Sequence, residues 1–436
     1  MKNINFNNSQ NPNKQVITFG CRLNAYESEI IKNHLNLLKD TNTIVINTCA
    51  VTSEAERQAR QKIRKLRKDN PKAQLIITGC SAQINPETYA KMSEVDQVLG
   101  NIEKLEMNNF RMKKKQNKVK IQNIMKIKKT KLNLISSFKN SPRAFIQIQN
   151  GCNHRCTFCT IPFGRGNSRS VPIEELIKQI QKLISQGCKE IVFTGVDITE
   201  YGKDLSDQPH LGVMTRHVLN VFKNLPRLRL SSLDPIEIDD HLFQLIETEP
   251  RLMPHFHLSL QSGDNLILKR MKRRHLSRNV IELCNHIHNL RKEIIFGADV
   301  IVGFPTETEE MFKNTLEIIK KCKITYLHVF PYSIRKGTFA AKMPQVIKST
   351  IKTRSRKINQ LATQQLKYLF DIKIGKEVYV LIEKNNFGYC EHYTKVRFDI
   401  SKTIKHGKIV KGLTLFYNIM EKELIAIPII NKVVKL

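Results

Sequence analysis

The sequence predicts an α/β chain in three parts: an open parallel sheet with covering helices, a central (β/α)6 partial TIM-like barrel, and a small all-β module at the end. Three observations predict it. Strand-like runs alternate with helical stretches through the first hundred residues, the alternation resumes with a longer rhythm from residue 143, and the last 65 residues carry only short strand-like runs. At 436 residues the chain exceeds what one core usually organises, so two or three domains are expected.

The front part reads "QVITFG" (15 to 20), a helical "AYESEIIKNHLNLL", "TIVINT" (43 to 48), a helical "SEAERQARQKIRKLRK", "AQLIITG" (73 to 79) and "VDQVLG" (95 to 100). Successive strands joined by helices pair in parallel, which puts their carboxyl ends along one edge of the sheet. Cys21, Cys49 and Cys80 each come directly after a strand-like run, in "FGCRLN", "INTCAV" and "TGCSAQ". One such cysteine is more often a small buried hydrophobe than a ligand, but three at equivalent strand ends favour a shared ligand role. Residues 105 to 140 are dominated by Lys and Asn without a clear period, and read as a basic linker: a solvated connector or a nucleic-acid contact.

The central part offers six strands: "AFIQIQ" (144 to 149), "EIVFTG" (190 to 195), "LRLSS" (228 to 232), "HFHLSL" (255 to 260), "GADVIVG" (297 to 303) and "YLHVFP" (326 to 331). Helical segments such as "PIEELIKQIQKLISQG" lie between them, and a barrel built this way places its chemistry at the strand carboxyl ends. Directly after the first strand comes "GCNHRCTFCTIPFGRG", with Cys152, Cys156 and Cys159. Past a basic helical stretch at 350 to 370, "GKEVYVLIEKN", "YTKVRFDIS", "GKIVKGLTLFYNIM" and "ELIAIPII" form the β module. Its Tyr389, Tyr393 and Phe398 either face single-stranded nucleic acid or fill its core.

The chain carries 72 basic and 39 acidic residues, a net charge of +33 that suits a polyanionic partner, though a general drift toward Lys, Asn and Ile would also produce it. With 41% hydrophobic and 25% charged residues it is not a disordered polymer. No apolar run approaches the roughly eighteen residues of a membrane span, and the polar, Asn-rich N-terminus lacks a signal-peptide core. A cytoplasmic place is therefore expected, where ten cysteines point to metal or redox chemistry rather than disulfides.

Three thiolates on one loop fit a [4Fe–4S] cube, which needs one ligand per iron and here keeps one iron open. The open iron can take the amino and carboxylate groups of S-adenosylmethionine, whose sulfonium then lies beside a reducing cluster. The rival is a structural zinc with His154 as fourth ligand, but the C-x3-C-x2-C spacing lacks paired C-x2-C knuckles.

On that loop the sequence resembles the radical S-adenosylmethionine superfamily. "TFGCRLNAYESE", "NTCAVTSEAERQARQKIRK", "IITGCSAQINP", "SSLDPIEID", "LSLQSGDNLILKRMKRRH", "GADVIVGFPTETEEMF" and "HVFPYSIRKGTFAAKMP" extend the resemblance to its methylthiotransferase family. "GCRLNAYESE" and "RMKRRH" are closest to the branch acting on N6-threonylcarbamoyladenosine in tRNA. The resemblance implies an N-terminal methylthiotransferase domain over 1–104, a linker over 105–140, a radical S-adenosylmethionine domain over 141–370 and a TRAM-like β domain over 371–436. It implies a radical-generating cluster on Cys152, Cys156 and Cys159, which also makes these the catalytic residues, and an auxiliary cluster on Cys21, Cys49 and Cys80 that supplies the sulfur. The implied reaction is hydrogen abstraction and methylthiolation at C2 of adenosine 37 in the tRNA anticodon loop. The electrons would come from a donor protein such as flavodoxin or ferredoxin.

Gly195, Asp197, Ser232, Asp234 and Gln261 are the implied cofactor contacts, each open to a turn or packing role instead. Arg270, Arg273 and Arg274, with Lys269 and Lys272, form a basic run that either touches tRNA phosphate or is a solvated helix end. Cys188, Cys284, Cys322 and Cys390 fall within helical or β patterns and are expected to be packing residues. Two other readings stay open: methylthiolation of an isopentenyladenosine-37 tRNA or of a ribosomal-protein aspartate, and a non-catalytic, zinc-containing RNA-binding protein.

Overall fold

A computed structural model describes residues 14–38, 41–111, 117–129 and 141–429. The Asn-rich N-terminus and residues 112–116 and 130–140 of the basic stretch lie outside the described residues.

The first sheet is parallel, with strand order β1-β2-β3-β4-β5: β1 (Lys14–Thr18), β2 (Thr43–Thr48), β3 (Gln74–Gly79), β4 (Gln97–Leu99) and β5 (Val119–Lys120). β2 is buried at every position, as a strand covered on both faces must be. Helix α1 (Arg22–Leu37) begins right after Cys21, and α2 (Ser53–Asp69) is capped by Thr52, whose hydroxyl accepts from the Ala55 amide at 3.2 Å. Helix α3 (Cys80–Ile84) starts on Cys80 itself. Within 105–140, read from sequence as linker, Val119–Lys120 forms β5, which pairs with β4, and Ile124 is buried.

The central strands are β6 (Arg143–Gln147), a hairpin of β7 (Gln149–Asn150) with β8 (Arg169–Ser170), then β9 (Glu190–Thr194), β10 (Arg227–Leu230), β11 (Ser232–Leu233), β12 (His255–Gln261), β13 (Ile295–Val302) and β14 (Ile324–Pro331). They form two parallel sheets, β6-β9-β10 and β11-β12-β13-β14, split where "LRLSS" breaks at Ser231. The barrel is thus partial. Alternate residues such as Ile146, Phe193, Leu230, Leu258 and Val300 pack outward against the helices in one large core. Beside β6 and β9, Leu23, Tyr26 and Ile30 of α1 pack on Phe145 and Val192, so the first domain fills that flank of the barrel.

The last strands, β15 (Glu377–Lys384), β16 (Phe387–Cys390), β17 (Lys395–Phe398), β18 (Ile409–Asn418) and β19 (Glu423–Pro428), close into a small barrel, reached through the long helix Lys348–Lys373. It seats on the starting ends of the central strands. Arg227 donates to the carbonyls of Tyr379 at 2.6 Å and Tyr389 at 3.1 Å, Arg229 to that of Glu391 at 3.1 Å, and Glu190 pairs with Arg229 at 3.1 Å. Of the two readings of the module's aromatics, packing is the one seen: Phe398 fills the module's core, while Tyr389 and Tyr393 lie under Arg143, at 4.7 and 5.2 Å from its guanidinium. No described helix is long and apolar enough to cross a membrane.

Candidate metal centres and the contact between them

Both cysteine trios sit at the carboxyl edges of parallel strands, where each strand's last residues turn into a loop or helix. In the first, Gly20 takes φ +100°, and a Cβ there would stand 2.8 Å from Cβ and Sγ of Cys49. The backbone beside Cys21 therefore presses directly on Cys49. The Val51 amide approaches Cys49 Sγ at 3.4 Å, and Arg165 Nε donates to Cys80 Sγ at 3.0 Å. Burial pushes the Cys49 thiol up to about 12, with Cys21 and Cys80 adding to it, so a metal's charge is what would draw out the thiolate.

The second trio lies on a loop pinned at many points. Cys152 N donates to Gly166 O at 3.0 Å, Cys159 N to Cys156 O at 3.1 Å, Thr157 N to Met271 O at 3.1 Å, and Ala340 N to Thr157 O at 2.9 Å. Gly151, at φ +76°, makes the entry turn; a Cβ there would fall 1.9 Å from the Asn167 carbonyl oxygen. The Ile161 amide approaches Cys159 Sγ at 3.4 Å, and burial pushes that thiol up to about 12. All three cysteines are half-buried, so the loop presents them at a surface.

The donor spacing tests the metal. Tetrahedral zinc with bonds of about 2.3 Å needs sulfurs roughly 3.8 Å apart. Among the described residues, neither trio brings its ligand atoms within 4.8 Å of one another, the closeness that a single zinc on all three thiolates would need. Cys152, His154 and Asp197 do lie within that reach, without the other two thiols. His154 instead pairs with Asp197 at 3.0 Å and lies 2.8 Å from Arg274 Nη2, so its Nε2 is already engaged by other side chains.

The remaining predicted residues gather around this loop. Asp197 holds His154, and its amide, with that of Val196, donates to Gln149 Oε1 at 3.0 Å. Gly195 is needed there, since a Cβ would lie 2.8 Å from the Gln149 carbonyl oxygen. Asp234 is buried and bound to Arg273 at 2.7 Å. Ser232 is half-buried on β11, and Gln261 ends β12 at φ +63°. The basic run divides. Arg273 turns inward to Asp234, 3.9 Å from Cys156 Sγ; Arg270 bonds Thr306 Oγ1 at 2.7 Å; and Arg274 bonds Glu237 at 2.7 Å. Arg270 and Arg273 are half-buried and paired within the protein, while Lys269, Lys272 and Arg274 are exposed. Cys188, Cys284, Cys322 and Cys390 are buried packing residues.

Sequence reasoning missed the groups that join the centres. Arg165 reaches from the loop of Cys152, Cys156 and Cys159 to Cys80, Glu27 and Asn24, and Asn101 Nδ2 donates to the Gly164 carbonyl at 2.6 Å. On the other side Arg335 pairs with Glu56 at 2.8 Å and donates to the Ala50 carbonyl, next to Cys49, at 2.6 Å. Inside the barrel, Asp299 Oδ1 lies 2.9 Å from His257 Nε2 and 3.0 Å from His328 Nδ1. Burial resists its ionisation, but the two imidazoles outweigh burial and hold the carboxyl below its usual range.

Residues 146–319 match the Radical SAM superfamily, and residues 13–100 match the Uncharacterized protein family UPF0004. The chain is 50% identical over 412 residues to the threonylcarbamoyladenosine tRNA methylthiotransferase MtaB of Rickettsia prowazekii (strain Madrid E), covering 94% of this chain and 96% of that protein. It is 36% identical over 408 residues to the protein of the same name from Aquifex aeolicus (strain VF5), covering 91% and 98%. To the tRNA-2-methylthio-N(6)-dimethylallyladenosine synthase of Roseobacter denitrificans (strain ATCC 33942 / OCh 114) it is 31% identical over 391 residues, covering 86% and 88%.

Proposed function

The chain belongs to the MtaB family of threonylcarbamoyladenosine tRNA methylthiotransferases, within the radical S-adenosylmethionine superfamily, and from that premise we infer how its residues divide the work. It transfers a methylthio group to C2 of N6-threonylcarbamoyladenosine 37 of tRNA, using S-adenosylmethionine and two [4Fe–4S] clusters. When bound, these groups supply one-electron cleavage of the sulfonium and the sulfur to be delivered. Cys152, Cys156 and Cys159 hold the radical-generating cluster; Cys21, Cys49 and Cys80 hold the auxiliary one.

The chain's own part is positioning. Each trio leaves one corner of its cluster without a protein ligand, one for the cofactor and one for the sulfur. Gly195, Ser232 and Gln261 would line the cofactor at the strand ends, Gly195 also leaving room for the Gln149 carbonyl behind it. Asp197 and Asp234 act beside them by fixing His154 and Arg273 against the cysteine loop. The tRNA is drawn by the net charge of +33, with Lys269 and Lys272 as phosphate contacts near that loop. The division is 1–104 for the auxiliary cluster, extended by strand β5 from the stretch 105–140, then 141–370 for the radical chemistry and 371–436 for the seated β module. A small reducing protein such as flavodoxin or ferredoxin delivers the electron, and the reaction takes place in the cytoplasm.

The observation that carries this reading is the pair of three-cysteine sites at neighbouring sheet edges, joined through Gly164 and Arg165. Its test is mass spectrometry of tRNA nucleosides from a bacterial host lacking its own methylthiotransferases. Expression of the chain is expected to convert N6-threonylcarbamoyladenosine to its 2-methylthio form and leave isopentenyladenosine unchanged. Conversion of isopentenyladenosine instead, or of neither, would overturn the assignment.

A further inference from the structure

Arg165 ends the one-turn helix Ile161–Arg165, six positions past Cys159, yet its guanidinium is spent entirely on the other domain. Its side chain is 2% exposed. Nε donates to Cys80 Sγ at 3.0 Å, Nη1 to Glu27 Oε1, and Nη2 to Asn24 Oδ1 and to Glu27 Oε2, the last at 3.0 Å. Glu27 is shared: Lys104, with a fully buried side chain, pairs with it at 2.6 Å and also reaches Asn101 Oδ1 at 2.6 Å. The hub sets two basic side chains against one shared carboxylate. A buried guanidinium is stabilised by each polar or anionic partner it reaches. The group in contact is Cys80, one of the three thiols at the first centre.

We propose that Arg165 is a positioning residue that sets the reduction potential of the auxiliary cluster, through its N–H to Cys80 Sγ and its positive charge, with Glu27 as the opposing weight. The inference rests on the two-cluster reading. One-electron reduction adds a single negative charge to the cluster, and a nearby cation and a hydrogen bond to a ligating sulfur both stabilise that added charge. Removing the cation lowers the potential; removing the carboxylate raises it. Because Arg165 belongs to the loop that carries Cys152, Cys156 and Cys159, the same contact ties the auxiliary centre to the radical loop.

The test uses the full chain with Cys152, Cys156 and Cys159 replaced by Ala, reconstituted anaerobically with iron and sulfide so that only the auxiliary cluster forms. Dithionite supplies the electron in a redox titration followed by electron paramagnetic resonance. Arg165→Gln in this background is expected to disfavour reduction about tenfold, a downward shift of about 59 mV for a one-electron couple. Glu27→Gln is expected to shift the potential upward, and Arg165→Lys to fall between Arg165→Gln and the parent. Unchanged potentials, or shifts of the same sign for Arg165→Gln and Glu27→Gln, overturn the role. Should Arg165→Gln fail to hold a cluster, Glu27→Gln decides alone: an upward shift supports the role and any other result overturns it. A parent without iron would refute the two-cluster reading itself, a result distinct from a loaded parent whose potential ignores these residues.

Discussion

Replacing Gly151 by alanine tests how the radical loop is held. At φ +76° a side chain costs about 1–3 kcal/mol in backbone strain. The new Cβ would stand 1.9 Å from the Asn167 carbonyl oxygen, about 1.5 Å short of the 3.4 Å at which ordinary contact begins. Relieving that overlap costs a further ~1–3 kcal/mol, because the obstacle is backbone on the returning limb of the same loop. The total of roughly 2–6 kcal/mol lowers the population of the closed loop at least about thirtyfold. Gly187 is the control: it has φ +89° with nothing within 4 Å of its Cβ position, so alanine there meets strain alone, away from the six proposed cluster cysteines in sequence. Both variants would be reconstituted anaerobically and assayed for iron and sulfide. Gly187→Ala is expected to reach about eight irons per chain and Gly151→Ala about four, those of the auxiliary centre. Full iron and wild-type turnover in Gly151→Ala would refute the reasoning.

Other consequences follow from the contacts around the sites. Burial opposes ionisation of Glu190, but Arg229 and Arg143 outweigh it and hold the carboxyl at about 2, so its stabilisation is full above about 4.5 and lost as pH falls toward 2. The stability advantage of wild type over Glu190→Gln, measured by urea unfolding, is therefore expected to shrink by on the order of 3 kcal/mol across that window. A constant difference would count against the pairing. Arg335→Ala breaks a largely buried pair with Glu56 and is expected to cost about 3 kcal/mol, with iron loss confined to the auxiliary centre; unchanged melting would contradict the contact. Lys269→Ala and Lys272→Ala are each expected to reduce the slope of log affinity for tRNA against log salt by just under one, with iron content unchanged. Equal slopes would remove these lysines from the tRNA face.

Much of this was legible because it is local. A cysteine directly after a strand-like run in a βαβ pattern has few places to go, so Cys21, Cys49 and Cys80 could be assigned to one sheet edge without knowing a single contact. The C-x3-C-x2-C loop declared itself by spacing, and the β module by its short runs. What could not be read depends on separation along the chain. Arg165 meets Cys80 and Glu27 across 85 and 138 residues, and no period or motif links them. His257, Asp299 and His328 meet because β12, β13 and β14 lie side by side. Arg273 was misread for a related reason: in a basic run every member looks solvated, and only the buried Asp234 opposite shows that one is turned inward. Strand β5 escaped notice because two residues at a sheet edge carry no pattern.

The account stands on two clusters, each held by three cysteines, and metal analysis addresses that directly. Under strict oxygen exclusion the wild-type chain is expected to bind about eight irons with matching acid-labile sulfide, and replacement of either trio by alanine to leave about four of each with no methylthiolated nucleoside formed. A single zinc without sulfide, or an iron count untouched by the loss of Cys21, Cys49 and Cys80, would contradict it.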